Sequence, residues 1–224
     1  MPAMDPQPAA GHEPGGSRQR LLDAAIEAFA ELGYARASTR EICRRAGANA
    51  AAINYHFGSK EALFSEITQL PLRDVLASVA VFADPALSLE QALRAFFAGM
   101  LAPLRQGPRG VLLRRIMTHE PGGPVGARHH PEPAAVAPHF QALEGLLCRH
   151  LGVTEIDDDL HTLAFALVGL AHVALAGNEI VEAFAPGLTA PAAVEPLIGR
   201  LTGHALAMIT QERRRRAAAG GGAP

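Results

Sequence analysis

The side chains with the most chemistry to offer lie between positions 39 and 60: Thr39, Arg40, Arg44, Asn49, Asn54, Tyr55, His56 and Lys60, with the small residues Ala50 and Ala51 among them. Their chemistry is hydrogen bonding and charge. The amide of Asn54 has the geometry to bond two edges of an adenine; touching sugar-phosphate or capping a neighbour is the alternative. Tyr55 and His56 supply hydroxyl and imidazole donors suited to phosphate, contacts that position rather than specify. Packing against Phe64 is the other use of these rings, and one of the two is expected to take it. Lys60 opens a helix, where a cation and free backbone donors together favour a phosphate over plain solvation. Arg44 falls one turn beyond Arg40 on the same face, whereas Glu41 can pair with Arg45 at i,i+4.

These side chains need short helices to present them. Ser38-Thr39-Arg40-Glu41 reads as a capping box that opens a helix ending near Ala46-Gly47. Gly47-Ala48-Asn49 is the turn, and a very short helix follows into Tyr55-His56-Phe57 before Gly58-Ser59 breaks it. Two such helices can form a helix-turn-helix, with the small Ala50, Ala51 and Ala52 allowing close approach to a major groove. Ile42, Ala46, Ile53 and Phe57 can pack the pair on a first helix, Ser17 to Leu32, whose Leu22, Ile26, Phe29 and Leu32 form one apolar stripe. Gly33 ends that helix.

The rest of the chain reads as helix too, since no period-two alternation or hairpin turn occurs. From Ser59, a helix is expected through Ile67 and on to Phe82, kinked at Pro71. A capping box at Ser88–Gln91 opens another to Leu101; Val111 to His119, Val136 to Leu151, Asp157 to Ala183 and Ala192 to Arg213 complete about nine helices. Pro121 to Pro133, with four prolines and three glycines, reads as a loop. Residues 1–16 read as a disordered leader and 213–224 as a solvated basic-then-glycine tail. The expected organisation is all-α: a head over 17–64 with its helix-turn-helix at 38–57, and a helical body over 65–212.

Charge divides the chain in the same place. The formal charge is −2, yet seven basic residues face four acidic ones between Ser17 and Lys60, leaving the remainder near −5. A basic head on an acidic body suits a molecule that meets phosphate at one end only. No export signal is visible, and the apolar run Leu163 to Ala176 is interrupted by His172 and short for a bilayer. Two cysteines, Cys43 and Cys148, give no disulfide framework. A cytoplasmic protein without a membrane partner is expected.

The segment Thr39-Arg40-Glu41-Ile42, then Ala46-Gly47, then Ile53-Asn54-Tyr55-His56-Phe57-Gly58-Ser59-Lys60-Glu61-Ala62-Leu63 resembles the N-terminal domain of the TetR family, over roughly Ser17 to Ile67. The commonest family pattern has a tyrosine where Asn54 stands; the variant here resembles a branch linked to sensitivity towards antibiotics and other toxic compounds. The resemblance implies a homodimer of all-helical subunits whose three-helix heads bind a double-stranded DNA operator. It also implies a dimerising body that takes a small-molecule effector, expected to be organic, and a regulator rather than an enzyme, without a cofactor.

In the body the last two long helices are the dimerisation candidates, with Gly199 and Gly203 one turn apart and Leu197, Leu201, Ala205, Met208 and Ile209 giving apolar contact. The 157–183 helix is apolar almost all round and is expected to be buried on both sides. Phe96, Met100, Met117, Phe140, Phe165 and His172 are nominated as pocket lining. Ten histidines raise a metal-responsive alternative, through His119-Glu120, His129-His130 and His139 around the proline-rich loop. No zinc-finger or His-Glu-x-x-His spacing supports it, and His161 and His172 lie roughly 16 Å apart along one helix. An enzyme using His119, Glu120 or His172 lacks a nucleophile or cofactor loop, and a sequence-tolerant DNA-coating protein is the last alternative.

Overall fold

The computed structural model describes residues 14–119, 133–175 and 179–220, and in these every regular element is helical. The head comprises α1 (Pro14–Arg36), α2 (Thr39–Ala46) and α3 (Ala52–Phe57). The body comprises α4 (Lys60–Ala77), α5 (Val79–Phe82), α6 (Leu89–Met100), α7 (Ala102–Arg105), α8 (Pro108–His119), α9 (Pro133–Leu151), α10 (Asp158–Leu175), α11 (Glu179–Phe184) and α12 (Val194–Gly220). The all-α class stands, and the expected number of helices is close: α5 and α11 are added where long expected helices divide, and α7 is a short turn of helix between two of them.

One division has a visible cause. The helix expected to reach Phe82 breaks at Ser78, whose hydroxyl donates to the Val75 carbonyl at 2.7 Å. There α6 passes so near that a side chain at Gly99 would run into Ser78. Pro71 sits inside α4 without ending it. Sequence signals hold best at helix starts. Ser88 and Gln91 form both halves of their box, and the Ser59 hydroxyl accepts from the Ala62 amide at 3.1 Å.

Two hydrophobic cores result. The head's core gathers Leu21, Ala25, Ile26, Phe29, Ile42, Ile53 and Phe64, together with Leu113 and Ile116 from α8. The body's core gathers residues from α5, α6, α9, α10 and α12, among them Phe82, Phe96, Leu143, Leu167 and Ile198. Body helix α8 is thus partly a head element: its inner face is buried with α1, and Arg109 lies 3.5 Å from Asp23.

The chain's last arginines depart from expectation. The region read as a tail from residue 213 is helical to Gly220. Arg216 donates to Asp157 and Glu212, and Arg215 pairs with Asp159 and Glu212. Arg213 donates to the His150 carbonyl at 2.7 Å. These contacts tie the end of α12 to the start of α10 and hold the Asp157 carboxyl far below its usual range, chiefly through the Arg216 hydrogen bond. The 1–16 leader falls mostly outside the described residues, α1 beginning at Pro14.

α10 also differs from expectation. By length and apolarity it could cross a membrane. Here Leu160, Leu163, Ala164, Leu167, Ala171 and Ala174 face the core while Phe165 and Val173 stay 62% and 57% exposed, so only one side is covered.

Candidate nucleic-acid interface

Gly47 makes the turn of the helix-turn-helix. Its φ of +60° lies in the left-handed region that a Cβ disfavours. In that conformation its amide meets the Arg44 carbonyl at 3.3 Å, and the next amide, of Ala48, meets the Cys43 carbonyl at 2.9 Å. The Asn49 carboxamide oxygen accepts from the Ala51 amide at 2.9 Å, which turns the chain into α3. Asn49 is therefore an organiser of the turn as well as an exposed polar group.

α3 has only six residues, too few for an isolated helix to persist. Ile53, 1% exposed, anchors it in the head's core beside Ile42 and Phe29. With that side turned in, Ala50, Ala51, Asn54 and Tyr55 are turned out, Tyr55 with 85% of its surface free. His56 is half-buried, its ring edge-on to Tyr55 at 4.9 Å and to Phe57 at 6.2 Å. The expected packing of Tyr55 or His56 on Phe64 does not occur. Phe64 is enclosed by Phe29 and Tyr34 at 5.0 and 4.9 Å between ring centres.

Tyr34 was not among the sequence candidates, though it organises the cation beside α3. Its hydroxyl donates to the Glu61 carboxylate at 2.8 Å, and Lys60 places its ammonium 4.1 Å above the Tyr34 ring. Burial, then the Glu61 hydrogen bond, pushes the Tyr34 hydroxyl up to about 12, so it remains a neutral donor. A tyrosine directly after the stop at Gly33 was the available clue. Arg18 caps the Phe57 ring at 4.7 Å and donates to Glu66 at 2.6 and 2.8 Å.

Thr39 and Arg40 are exposed at the start of α2. Arg44 is exposed as well, but it is paired: its guanidinium donates to Glu41 at 2.7 and 2.8 Å. Glu41 also takes Arg45, which reaches Glu31 besides. This corrects the full capping box read at Ser38. The hydroxyl half is present, with the Glu41 amide donating at 3.1 Å, but the carboxylate serves the two arginines. Those hydrogen bonds, Arg44's first, hold the Glu41 carboxyl down at about 2.

The nominated pocket residues do not share one cavity. Phe96 and Met100 are buried in the body's core, while Phe165 and His172 lie on the open side of α10 and Phe140 is half-buried against Phe165 at 5.2 Å. The Met117 side chain lies outside the described residues. Two cavities, of about 300 and 340 Å³, are lined instead by residues such as Leu70, Arg73 and Arg109, and Leu104, Val111 and Thr189. The dimerisation stripe needs a similar correction. Leu197, Leu201, Ala205 and Ile209 point into their own subunit's core and Met208 packs against it, while Gly203 is open and Gly199 faces Arg94. Of the residues proposed for a metal, Glu120, His129 and His130 fall outside the described residues, as does the His119 side chain. Among the described residues no three His, Cys, Asp or Glu converge as a metal site.

Comparison with known proteins follows the same division. Residues 21–67 match the family described as bacterial regulatory proteins, tetR family. Residues 89–212 match the C-terminal domain of the HTH-type transcriptional dual regulator CecR. The chain is 31% identical to CecR of Shigella flexneri over 166 residues, covering 68% of this chain and 73% of that protein. Against the HTH-type transcriptional repressor AcnR of Corynebacterium glutamicum it is 46% identical over 56 residues, 25% of this chain and only 30% of that one. The solved SmeT–triclosan complex has a similar fold, with a TM-score of 0.60 at 21% identity, covering 82% of this chain and 90% of that one.

Proposed function

Because the chain belongs to the tetR family of bacterial regulatory proteins, we propose that it is a ligand-responsive transcriptional repressor that binds a palindromic operator as a homodimer. The observation that carries this reading is α3, buried through Ile53 and offering Asn54 and Tyr55 outward. Each subunit lays that face in one major groove, with the spacing of the two half-sites set by the dimer. Asn54 reads a base edge, and Tyr55, His56, Thr39 and Arg40 hold the register through phosphates. Lys60, poised on Tyr34 at the N-terminus of α4, meets another phosphate. Arg44 joins them by sharing its charge between Glu41 and DNA.

The dimer contact we propose uses the open side of α10, with Phe165, Gly169, His172 and Val173, and the exposed Gly203 on α12. A small organic effector takes the helical body better when the heads are misplaced, and that difference in affinity alone moves the equilibrium off DNA. Triclosan, named in complex with the neighbour SmeT, is a small organic ligand of the class meant. α8 can transmit the change, since Leu113 and Ile116 sit in the head's core and Arg109 reaches Asp23.

The test is a gel shift on the DNA upstream of the protein's own gene. Wild type should bind at moderate salt, and Asn54→Ala and Tyr55→Ala should weaken binding without loss of fold. Indifference of the wild-type dimer to any duplex sequence would overturn the reading.

A further inference from the structure

His139 is the buried polar group that the DNA-binding reading leaves unused. It stands on α9, is 3% exposed, and neither ring nitrogen has a hydrogen-bond partner among the described residues. Buried side-chain nitrogens are nearly always satisfied, and each orphan asks for a reason. The ring is held on two sides by aromatics: Phe96 stacks on it at 5.2 Å and 25°, and Phe82 meets it edge-on at 5.3 Å. Burial drives its pKa down to about 4, so the imidazole is neutral at physiological pH. A neutral imidazole carries one N–H donor and one lone-pair acceptor, fixed on opposite sides of one ring.

We propose that His139 is the polar anchor of an effector site between α5, α6 and α9, and that the ligand it takes is a neutral aromatic hydroxyl compound. The ligand's hydroxyl both donates and accepts, so it can satisfy the ring nitrogen that faces it in either tautomer. The aromatic body replaces the ring–ring contacts of Phe82 and Phe96, at the 4.5–7 Å spacing such pairs prefer. A charged ligand is disfavoured, because the ring is surrounded by apolar side chains such as Phe82 and Phe96 and desolvation of the ligand's charge would go uncompensated. The cavity beside Leu70 and Arg109 and the one beside Leu104 and Thr189 do not include His139 in their lining. On this proposal, room for the ligand comes from a rearranged packing of α5, α6 and α9, and that gives the ligand its differential affinity for a second state of the body. The inference rests on the regulatory reading in this respect alone.

The test uses the full-length protein and two probes of equal size, phenol and toluene, with binding followed by calorimetry and operator affinity measured in parallel. Wild type should favour phenol over toluene. His139→Phe keeps an aromatic ring of similar volume in the stack but has no polar atom. It should cut the phenol-to-toluene preference by roughly 5- to 50-fold, the loss expected for one buried hydrogen bond. His139→Gln, which keeps a donor and an acceptor, should restore part of the preference. Equal preference in wild type and His139→Phe overturns the proposal, as does a wild type that binds neither probe. Operator affinity separates the two readings: a wild type that binds DNA sequence-specifically but ignores phenol fails only this inference, whereas one that binds no operator fails the regulatory reading itself.

Discussion

Replacing Ile53 by alanine should undock α3 while leaving the body folded. Ile53 is 1% exposed and is the one residue of α3 that is fully buried. Removing three carbons from such a site costs about 2–5 kcal/mol, the transfer loss plus the cavity left behind. Nothing in α3 can offset that. The helix has six residues, and its own hydrogen bonds do not sustain a helix of that length. The head's core is separate from the core built on α6, α9, α10 and α12, so the loss should stay local. Hydrogen exchange followed by mass spectrometry is the assay, at fixed protein concentration because any self-association would add to apparent stability. Amides of 42–58 should lose protection equivalent to about 3 kcal/mol while those of α10 and α12 change little. Asn54→Ala, at an exposed position, should change stability by less than about 0.5 kcal/mol. If Ile53→Ala left α3 protected, or if it melted the body to the same extent, the two-core reasoning would be wrong.

Other expectations follow from single contacts. Lys60→Ala should weaken binding to all duplexes alike and lower the slope of log affinity against log salt by about one, as measured in salt titrations. His139 titrates near 4 when folded and near 6.5 when unfolded, so the unfolded chain binds the extra proton between these values. Its contribution is intact above pH 6.5 and drains away as pH falls toward 4, about 3 kcal/mol in all; urea melts of His139→Phe should show a flatter profile there than wild type. Arg216→Ala should loosen the end of α12 from α10, seen as faster exchange of amides 210–220; Arg216 and Glu212 are mostly buried, but Arg215 still pairs with Glu212 and Asp157 is half-exposed, so the drop in global stability should be about 1–2 kcal/mol.

What could be read from the residues was local chemistry. Ser59, Ser88 with Gln91, and Gly47 act within one turn of chain, and each does in the structure what its type and spacing imply. What escaped was long-range choice. Glu41 could equally cap its helix or pair with arginines, and the geometry of Arg44 and Arg45 decided for the arginines. The stripe of Leu197 and Leu201 announced an apolar face without saying whether a partner or its own subunit would cover it. Arg215 and Arg216 read as a solvated tail because Asp157 and Asp159, more than fifty positions earlier, carry no signal in the local sequence. Leu113 and Ile116, read as part of a body helix, were assigned to the head's core only by the packing of α8 on α1. His139 looked like one of several histidines around a loop until the surrounding phenylalanines set it apart.

The outward face of α3 can be tested with the chain's own two tyrosines. Tyr55 is open, while Tyr34 is buried and its hydroxyl is held neutral to about pH 12. Nitration followed by peptide mapping should modify Tyr55 readily in the free protein and spare Tyr34. Operator duplex should then protect Tyr55, and an unrelated duplex at the same salt should protect it much less. Tyr55 reacting equally fast with and without operator, under conditions where the complex is fully formed, would contradict the placing of α3 against DNA.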